Sequence, residues 1–340
     1  MKKDIIYSRK NNFLKKIVIK ILRKFDYEII DQNSGFLPVS KLKITDNLSI
    51  FNKSHTTFPL GKIKIKKKIS NLLIIFRSFT NEQKLLSQKK KRIFCMDKKE
   101  YTLRSLNSIC KSIKKLNLKL PKFKIFLKII DDNSNKKIIK LMNKIIFLNK
   151  VDAEISNLNV NKYINKMKFS NNKRMLAHNA HIYDSKNYAL NSNYDLIYFV
   201  EDDYLHSEDF LEEMVYTYQK FYSIFKKDII LCPSDYPYLY FKNPNSNIFI
   251  GHKKHWRQVK ESLCTYLISK NILKKNWDNY YKMFTNNNDP YEKELHNIYK
   301  KELCFSPMPS LAMHTTNVNS IYGISPLLDC LKLWKETNYK

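Results

Sequence analysis

The chain has 340 residues, of which 43% are hydrophobic and 13% aromatic, enough for one large α/β domain with an appendage or for two small domains. It holds only four glycines, and neither a G-x-G-x-x-G turn nor a P-loop can be written anywhere in it, which argues against dinucleotide folds built on that turn and against Walker-type ATPases. Its formal net charge of +31 comes almost entirely from lysine, in a chain also rich in asparagine and isoleucine. That mixture is what an AT-rich genome encodes, so part of the charge belongs to solvated faces. The functional readings are an anionic membrane surface, nucleic acid or an acidic substrate. Arginine is rare and no RRM, helix-turn-helix or zinc-finger pattern is present, so no nucleic-acid partner is expected. The six cysteines form no C-x-x-C and read as reduced thiols of a cytoplasmic protein. No segment is long and charge-free enough to span a bilayer, and lysines interrupt the N-terminal apolar region, so no clean signal peptide is read there.

In chain order, residues 1 to about 30 contain an amphipathic helix. Leu14, Ile17, Val18, Ile21, Leu22 and Phe25 form its apolar stripe, and Lys15, Lys16, Lys20, Arg23 and Lys24 flank it. This suits a helix lying on an anionic membrane or one packing on its own domain. Residues 31–70 read as an irregular linker. Strands are expected at Asn71–Phe76, Arg92–Met96, Phe123–Ile130, 195–200 and Ile229–Cys232. Helical stripes are expected at 103–116, 172–190 and 207–225, with Ser207 as N-cap and Glu208 and Asp209 in the first turn. A helix or loop region fills the gap up to about 160. Strands alternating with helices predict a mostly parallel, helix-covered sheet.

The carboxylates carry the chemistry. Glu201-Asp202-Asp203 closes the apolar run Leu196–Val200, and Asp131-Asp132 closes Phe123–Ile130. Acids at the carboxyl ends of parallel strands lie where open α/β sheets bind ligands. Three adjacent like charges repel unless a cation sits among them, and oxygen ligands favour Mg²⁺, Mn²⁺ or Ca²⁺. The plain alternative is an acidic turn facing water.

Ile130-Asp131-Asp132-Asn133-Ser134 followed later by Glu201-Asp202-Asp203 resembles the GT-A fold of nucleotide-sugar glycosyltransferases, family 2 in particular, over about residues 71–330. The resemblance implies that Asp131 or Asp132 contacts the donor nucleoside. It also implies that Glu201 and Asp203, supported by Asp202, hold the metal that bridges the donor diphosphate. Where the family carries an "RN" pair, this chain has His178-Asn179, a departure at a donor contact. His255-Trp256-Arg257 and the segment from Ser306 to His314 look like acceptor-side segments of a bacterial group. This casts Trp256 and Arg257 as acceptor-binding and His314 as a third metal ligand, although Trp256 also reads as a packed core residue and His314 as a satisfied strand-end histidine. An inverting transfer needs a carboxylate base. Asp289 lies where the family's base falls, with Asp235 and Glu292 as rivals. Asp289 before Pro290 also reads as a helix N-cap.

The expectation is a basic N-terminal helix and linker (1–70), a GT-A-like domain (71–330) and a C-terminal tail (331–340). The function expected is a metal-dependent (Mn²⁺ or Mg²⁺), inverting transfer of sugar from a nucleotide-sugar donor to a glycan or lipid-linked saccharide, peripheral on the cytoplasmic face of a membrane. The alternatives are a nucleotidyltransferase or other metal-dependent phosphoryl-transfer enzyme, and a non-enzymatic basic protein binding membrane or nucleic acid.

Overall fold

Our structure is a computed structural model that describes residues 13–27, 48–57, 61–81, 91–167, 173–242, 244–286 and 292–340. The chain runs α1 (Phe13–Arg23), β1 (Ser54–Thr57), β2 (Gly61–Lys64), β3 (Asn71–Ser78), α2 (Lys98–Lys119), β4 (Lys124–Asp131), α3 (Lys136–Asn149) and β5 (Ala153–Asn157). Next come α4 (Lys173–Asn191), β6 (Leu196–Glu201), β7 (Tyr204–His206), α5 (Phe210–Phe225), β8 (Ile229–Leu231), α6 (Tyr238–Phe241), β9 (Ile248–Ile250) and β10 (His255–Val259). It closes with β11 (Tyr266–Ser269), α7 (Lys270–Lys275), α8 (Trp277–Thr285), α9 (Lys293–Lys301), β12 (Leu303–Met308), β13 (Ala312–His314) and α10 (Cys330–Glu336).

Leu72 to Phe76 are fully buried, as a strand covered on both faces requires. Their alternation builds two cores. Leu72, Ile74 and Phe76 pack with Leu103, Met142 and Met214 of α2, α3 and α5. Leu73 and Ile75 pack with Ile182, Tyr280 and Leu295 of α4, α8 and α9. The large sheet has the order β5-β4-β3-β6-β11-β8-β12-β10-β9. β5, β4, β3 and β6 are mutually parallel. β11 opposes both β6 and β8, β12 runs with β8, and β10 opposes both β12 and β9. Only β11 and β10 therefore run against the other strands, and the mostly parallel, helix-covered sheet forms as expected. The chain adds β4 and β5 on one side of β3 and returns to add β6 on the other. The topological switch point thus falls between β3 and β6, where a crevice opens at the carboxyl ends.

Several local expectations are corrected. Arg92–Met96 is not a strand: Ile93–Cys95 is a single 3-10 turn, with Phe94 and Cys95 at positive φ (63° and 48°). The region up to 160 contains both α3 and β5. α5 starts at Phe210 rather than 207, because Tyr204–His206 is drawn into β7, which pairs with β13. Asp209 takes the N-cap position without a side-chain cap bond, and the buried Ser207 hydroxyl has no hydrogen-bond partner. The expected linker is packed in its second half. Asn52 bonds Ile69 and Gln219, the Ser223 hydroxyl accepts from the Lys66 amide at 3.0 Å, and Lys67 pairs with Asp228. The C-terminal tail is docked through Leu333 and through Arg104 and Asn107, which donate to backbone carbonyls of Trp334, Thr337 and Asn338. The apolar side chains Phe13, Leu14, Ile17, Val18 and Ile21 of α1 are exposed.

Candidate functional site

Strand register places the site. Ser78 stands beside Asp131 in the β3–β4 ladder, and Arg77 beside Glu201 in the β3–β6 ladder. The two acidic strand ends therefore flank the end of β3, directly at the switch point. In the separate β7–β13 pair, Tyr204 stands opposite His314, so His314 reaches Asp203, the residue before β7. The Thr315 amide and hydroxyl both donate to the Asp203 carbonyl, at 2.9 and 2.8 Å, and fix that approach. The His314 ring stacks on Tyr204 at 4.8 Å.

Each acid of the triplet has a basic partner within the chain. Arg77 pairs with Glu201 at 2.7 Å, Lys98 with Asp202, and His314 Nε2 with Asp203 Oδ2 at 3.4 Å. Asp202 also accepts from Thr102 and the Phe79 amide, both at 2.9 Å. Its oxygens thus tie β6 to α2 and to the end of β3. Burial pushes the Glu201 carboxyl up from its ordinary value; Arg77 pulls it back and Asp203 adds to the rise. Burial acts on Asp203 in the same direction, but His314 and Lys98 outweigh it and hold that carboxyl well below the usual range. Burial alone would lower His314, and the Asp203 carboxylate raises it instead. Mutual repulsion of three acids is therefore relieved by the protein's own side chains.

These residues line a cavity of about 440 Å³, within the range of small-ligand pockets. Its walls include Ser78, Arg92, His178, His181, Glu292, His296 and Tyr322. His181 is buried and bonded through Nε2 to the Ile130 carbonyl at 2.8 Å; burial, with Arg77 nearby, holds its pKa well below the ordinary value.

The other predicted site residues fall in different places. Asp131 is buried, with Oδ1 accepting from Ser78 at 2.6 Å and Oδ2 from the Ser134 amide at 2.7 Å. It shapes the strand-end loop. Asp132 is half-buried, and burial raises its pKa. His178 lines the cavity, whereas Asn179 points away and donates to the Phe284 carbonyl at 3.1 Å. Asp289 lies outside the described residues. The expectation for Asp235 is corrected: it is fully buried outside the cavity, bonded to Tyr240 and 3.5 Å from Arg257. Burial raises its pKa, partly offset by Tyr240 and Arg257. Arg257 lies over the Tyr240 ring at 4.3 Å and does not line the cavity either. Trp256 is corrected as a sugar platform. It is fully buried, with its indole N–H donated to Glu213 at 3.0 Å, and offers no open face. Of the two base candidates among the described residues, Asp235 and Glu292, Glu292 lines the cavity.

Sequence reasoning missed Arg77, Lys98, Arg92, His181 and His296. The available signal was a charged residue directly after a buried apolar run, as at Arg77, and basic residues at the start of a helix that follows the first strand.

Among the described residues, no group of three His, Cys, Asp or Glu side chains is placed to hold a metal ion. Asp203 and His314 converge as a pair, and Mg²⁺-like ions are commonly bound through one or two protein ligands with water and substrate phosphate supplying the rest. The residues present fit a metal bound that way. Glu201, expected as a ligand, is engaged by Arg77.

No family model matches the chain, and no curated protein matches it. Among solved structures, it is similar to S. aureus TarS 1–349 at 12% identity and TM-score 0.39, covering 69% of this chain and 57% of that one. The chain thus spans little more than half the length of that structure. It is also similar to a galactosyltransferase LgtC in complex with donor and acceptor sugar analogs, at 11% identity and TM-score 0.34, covering 68% and 72%. A third similar structure is UDP-glucose pyrophosphorylase complexed with UDP-glucose, at 10% identity and TM-score 0.36, covering 79% and 97%. The fold is a mostly parallel α/β sheet covered by helices. Likenesses this distant assign no residue, so the site rests on its own geometry.

Proposed function

We propose that this protein transfers a sugar from a nucleotide-sugar donor to a hydroxyl of a glycan or lipid-linked saccharide, with inversion, while peripheral on the cytoplasmic face of a membrane. The observation that carries the reading is the cavity at the β3–β6 switch point, where Asp203 and His314 converge beside Arg77 and Glu201. Asp203 and His314 would hold Mn²⁺ or Mg²⁺, which when bound neutralises charge building on the leaving diphosphate. The chain's own residues supply the rest. Asp202, locked by Lys98, Thr102 and Phe79, fixes the turn that presents Asp203. Asp132 and the loop held by Asp131 border the crevice on the β4 side, where a nucleoside would lie. Glu292 accepts the proton from the acceptor hydroxyl as that oxygen bonds to the sugar and the diphosphate leaves, in the role first assigned to Asp289 or Asp235.

Product analysis tests this. The full chain is incubated with Mn²⁺, a panel of nucleotide sugars and saccharide acceptors, and the products are separated by chromatography. Release of a nucleoside diphosphate with a new glycoside supports the reading. Release of pyrophosphate or exchange of the nucleotidyl group identifies a nucleotidyltransferase instead. Turnover of no donor under any condition favours the non-enzymatic alternative.

A further inference from the structure

Three basic side chains of the cavity already have carboxylate partners: Arg77 on Glu201, Lys98 on Asp202 and His314 on Asp203. Arg92 does not. Among the described residues it makes no ion pair, and its Nε is buried without a hydrogen-bond partner. Its guanidinium lies over the Tyr101 ring, 5.6 Å from the ring centre. A guanidinium is always charged, and leaving one of its donors buried and unmade is costly.

The backbone around Arg92 is held firmly, so this is not a loose surface arginine. Arg92 bridges to Thr316, the Ile93 amide donates to the Thr315 carbonyl at 3.0 Å, and the Val318 amide donates to the Lys91 carbonyl at 3.1 Å. Thr315 in turn bonds the Asp203 carbonyl. Arg92 is thereby carried on the same segment that fixes Asp203 and His314, and it lines the same cavity.

We infer that Arg92 is a phosphate-binding residue: its fork receives the diphosphate of the donor, on the Asp203–His314 side of the cavity, as a contact independent of any metal. This rests on the nucleotide-sugar reading and adds to it the residue that holds the leaving group. A planar fork of N–H donors matches phosphate oxygens in pairs. The three paired bases could take an anion only by giving up a carboxylate, whereas Arg92 has no carboxylate partner among the described residues to give up.

The test is calorimetric titration of the full chain with inorganic pyrophosphate, and separately with UDP, GDP, CDP and ADP, all in EDTA. Wild type should bind pyrophosphate and at least one nucleoside diphosphate. Arg92→Gln should weaken both about 10- to 100-fold, the range for loss of a charge-assisted hydrogen bond. Arg92→Lys, which keeps the charge but not the fork, should fall between. Lys300→Gln, an exposed charge outside the cavity, controls for the overall positive charge and should match wild type. Equal melting temperatures establish that the variants are folded. If Arg92→Gln binds pyrophosphate like wild type, or no more weakly than Lys300→Gln, the inference is overturned while nucleotide binding by wild type leaves the functional reading standing. If wild type binds neither pyrophosphate nor any of the nucleotides, with or without Mn²⁺, the functional reading falls and takes the inference with it.

Discussion

Replacing Arg77 by Met should destabilise the protein in a pH-dependent way that exposes the state of Glu201. Arg77 is the partner of Glu201 at 2.7 Å, with side chains 9% and 25% exposed respectively. Removing one member of a fully buried pair costs about 3–5 kcal/mol. Water reaching a quarter of Glu201 screens part of this, leaving a loss of about 2–3 kcal/mol. That is a large share of the roughly 5–15 kcal/mol that holds a domain together. Burial raises the Glu201 pKa and Arg77 lowers it, so the variant's carboxyl titrates still higher. A group whose folded pKa lies above its unfolded value gives stability that is full below the unfolded pKa and lost as pH rises through the folded one. The deficit of Arg77→Met should therefore be largest near pH 8 and shrink toward pH 5. Urea unfolding of wild type, Arg77→Met, Glu201→Gln and the double variant, at both pH values, measures it. The double variant should recover at least about 1 kcal/mol over the sum of the singles. A deficit equal at both pH values, or strict additivity, would refute the pairing and free Glu201 as a metal ligand.

Acid should also unfold the protein early. Burial lowers His55 to about 2 and His206 to about 3, so the unfolded chain takes up protons below about pH 6.5 that the folded chain refuses. Stability present above that pH should drop by about 4 kcal/mol between pH 8 and pH 5 for the two residues together; urea midpoints that agree at the two pH values would contradict this. Trp256→Ala should cost about 3–5 kcal/mol, because the ring is fully buried, while Trp256→Phe should leave acceptor KM unchanged. A rise in KM for Trp256→Phe without loss of stability would restore the acceptor role. Deleting residues 1–30 should abolish flotation with anionic vesicles, which rests on the exposed apolar face of α1 and about 1 kcal/mol from each basic residue such as Lys16, Lys20, Arg23 and Lys24. Flotation unaffected by the deletion, or by high salt, would remove the membrane from the account.

What could be read from the chain were the strands whose burial shows as an unbroken apolar run. Leu72–Phe76 and Leu196–Val200 announce themselves, and so do the acids that end the runs at Asp131 and Glu201. The short β5 escapes because Ala153–Asn157 is only partly covered and carries no such run. Arg92–Met96 looked like a strand because Ile93 to Met96 are apolar, but the chain turns there at Phe94. Ser207 looked like a cap because local sequence knows nothing of β13, which pulls the preceding residues into a strand. The largest gap concerns charge. Three consecutive acids implied a missing cation, yet Arg77, Lys98 and His314 arrive from positions distant in sequence, through strand register and helix packing that no local pattern encodes. Trp256 was ambiguous for the same reason, since its partner Glu213 lies on another element.

The most direct test of the central claim is nucleotide-sugar binding at Asp203. A panel of nucleotide sugars is titrated calorimetrically into wild type and Asp203→Asn, with Mn²⁺ and with EDTA. The account predicts that one donor class binds wild type more tightly with Mn²⁺, and that Asp203→Asn loses the Mn²⁺-dependent part while it melts as a folded protein. Wild-type binding that Mn²⁺ does not strengthen, or an Asp203→Asn variant that responds to Mn²⁺ as wild type does, would contradict it.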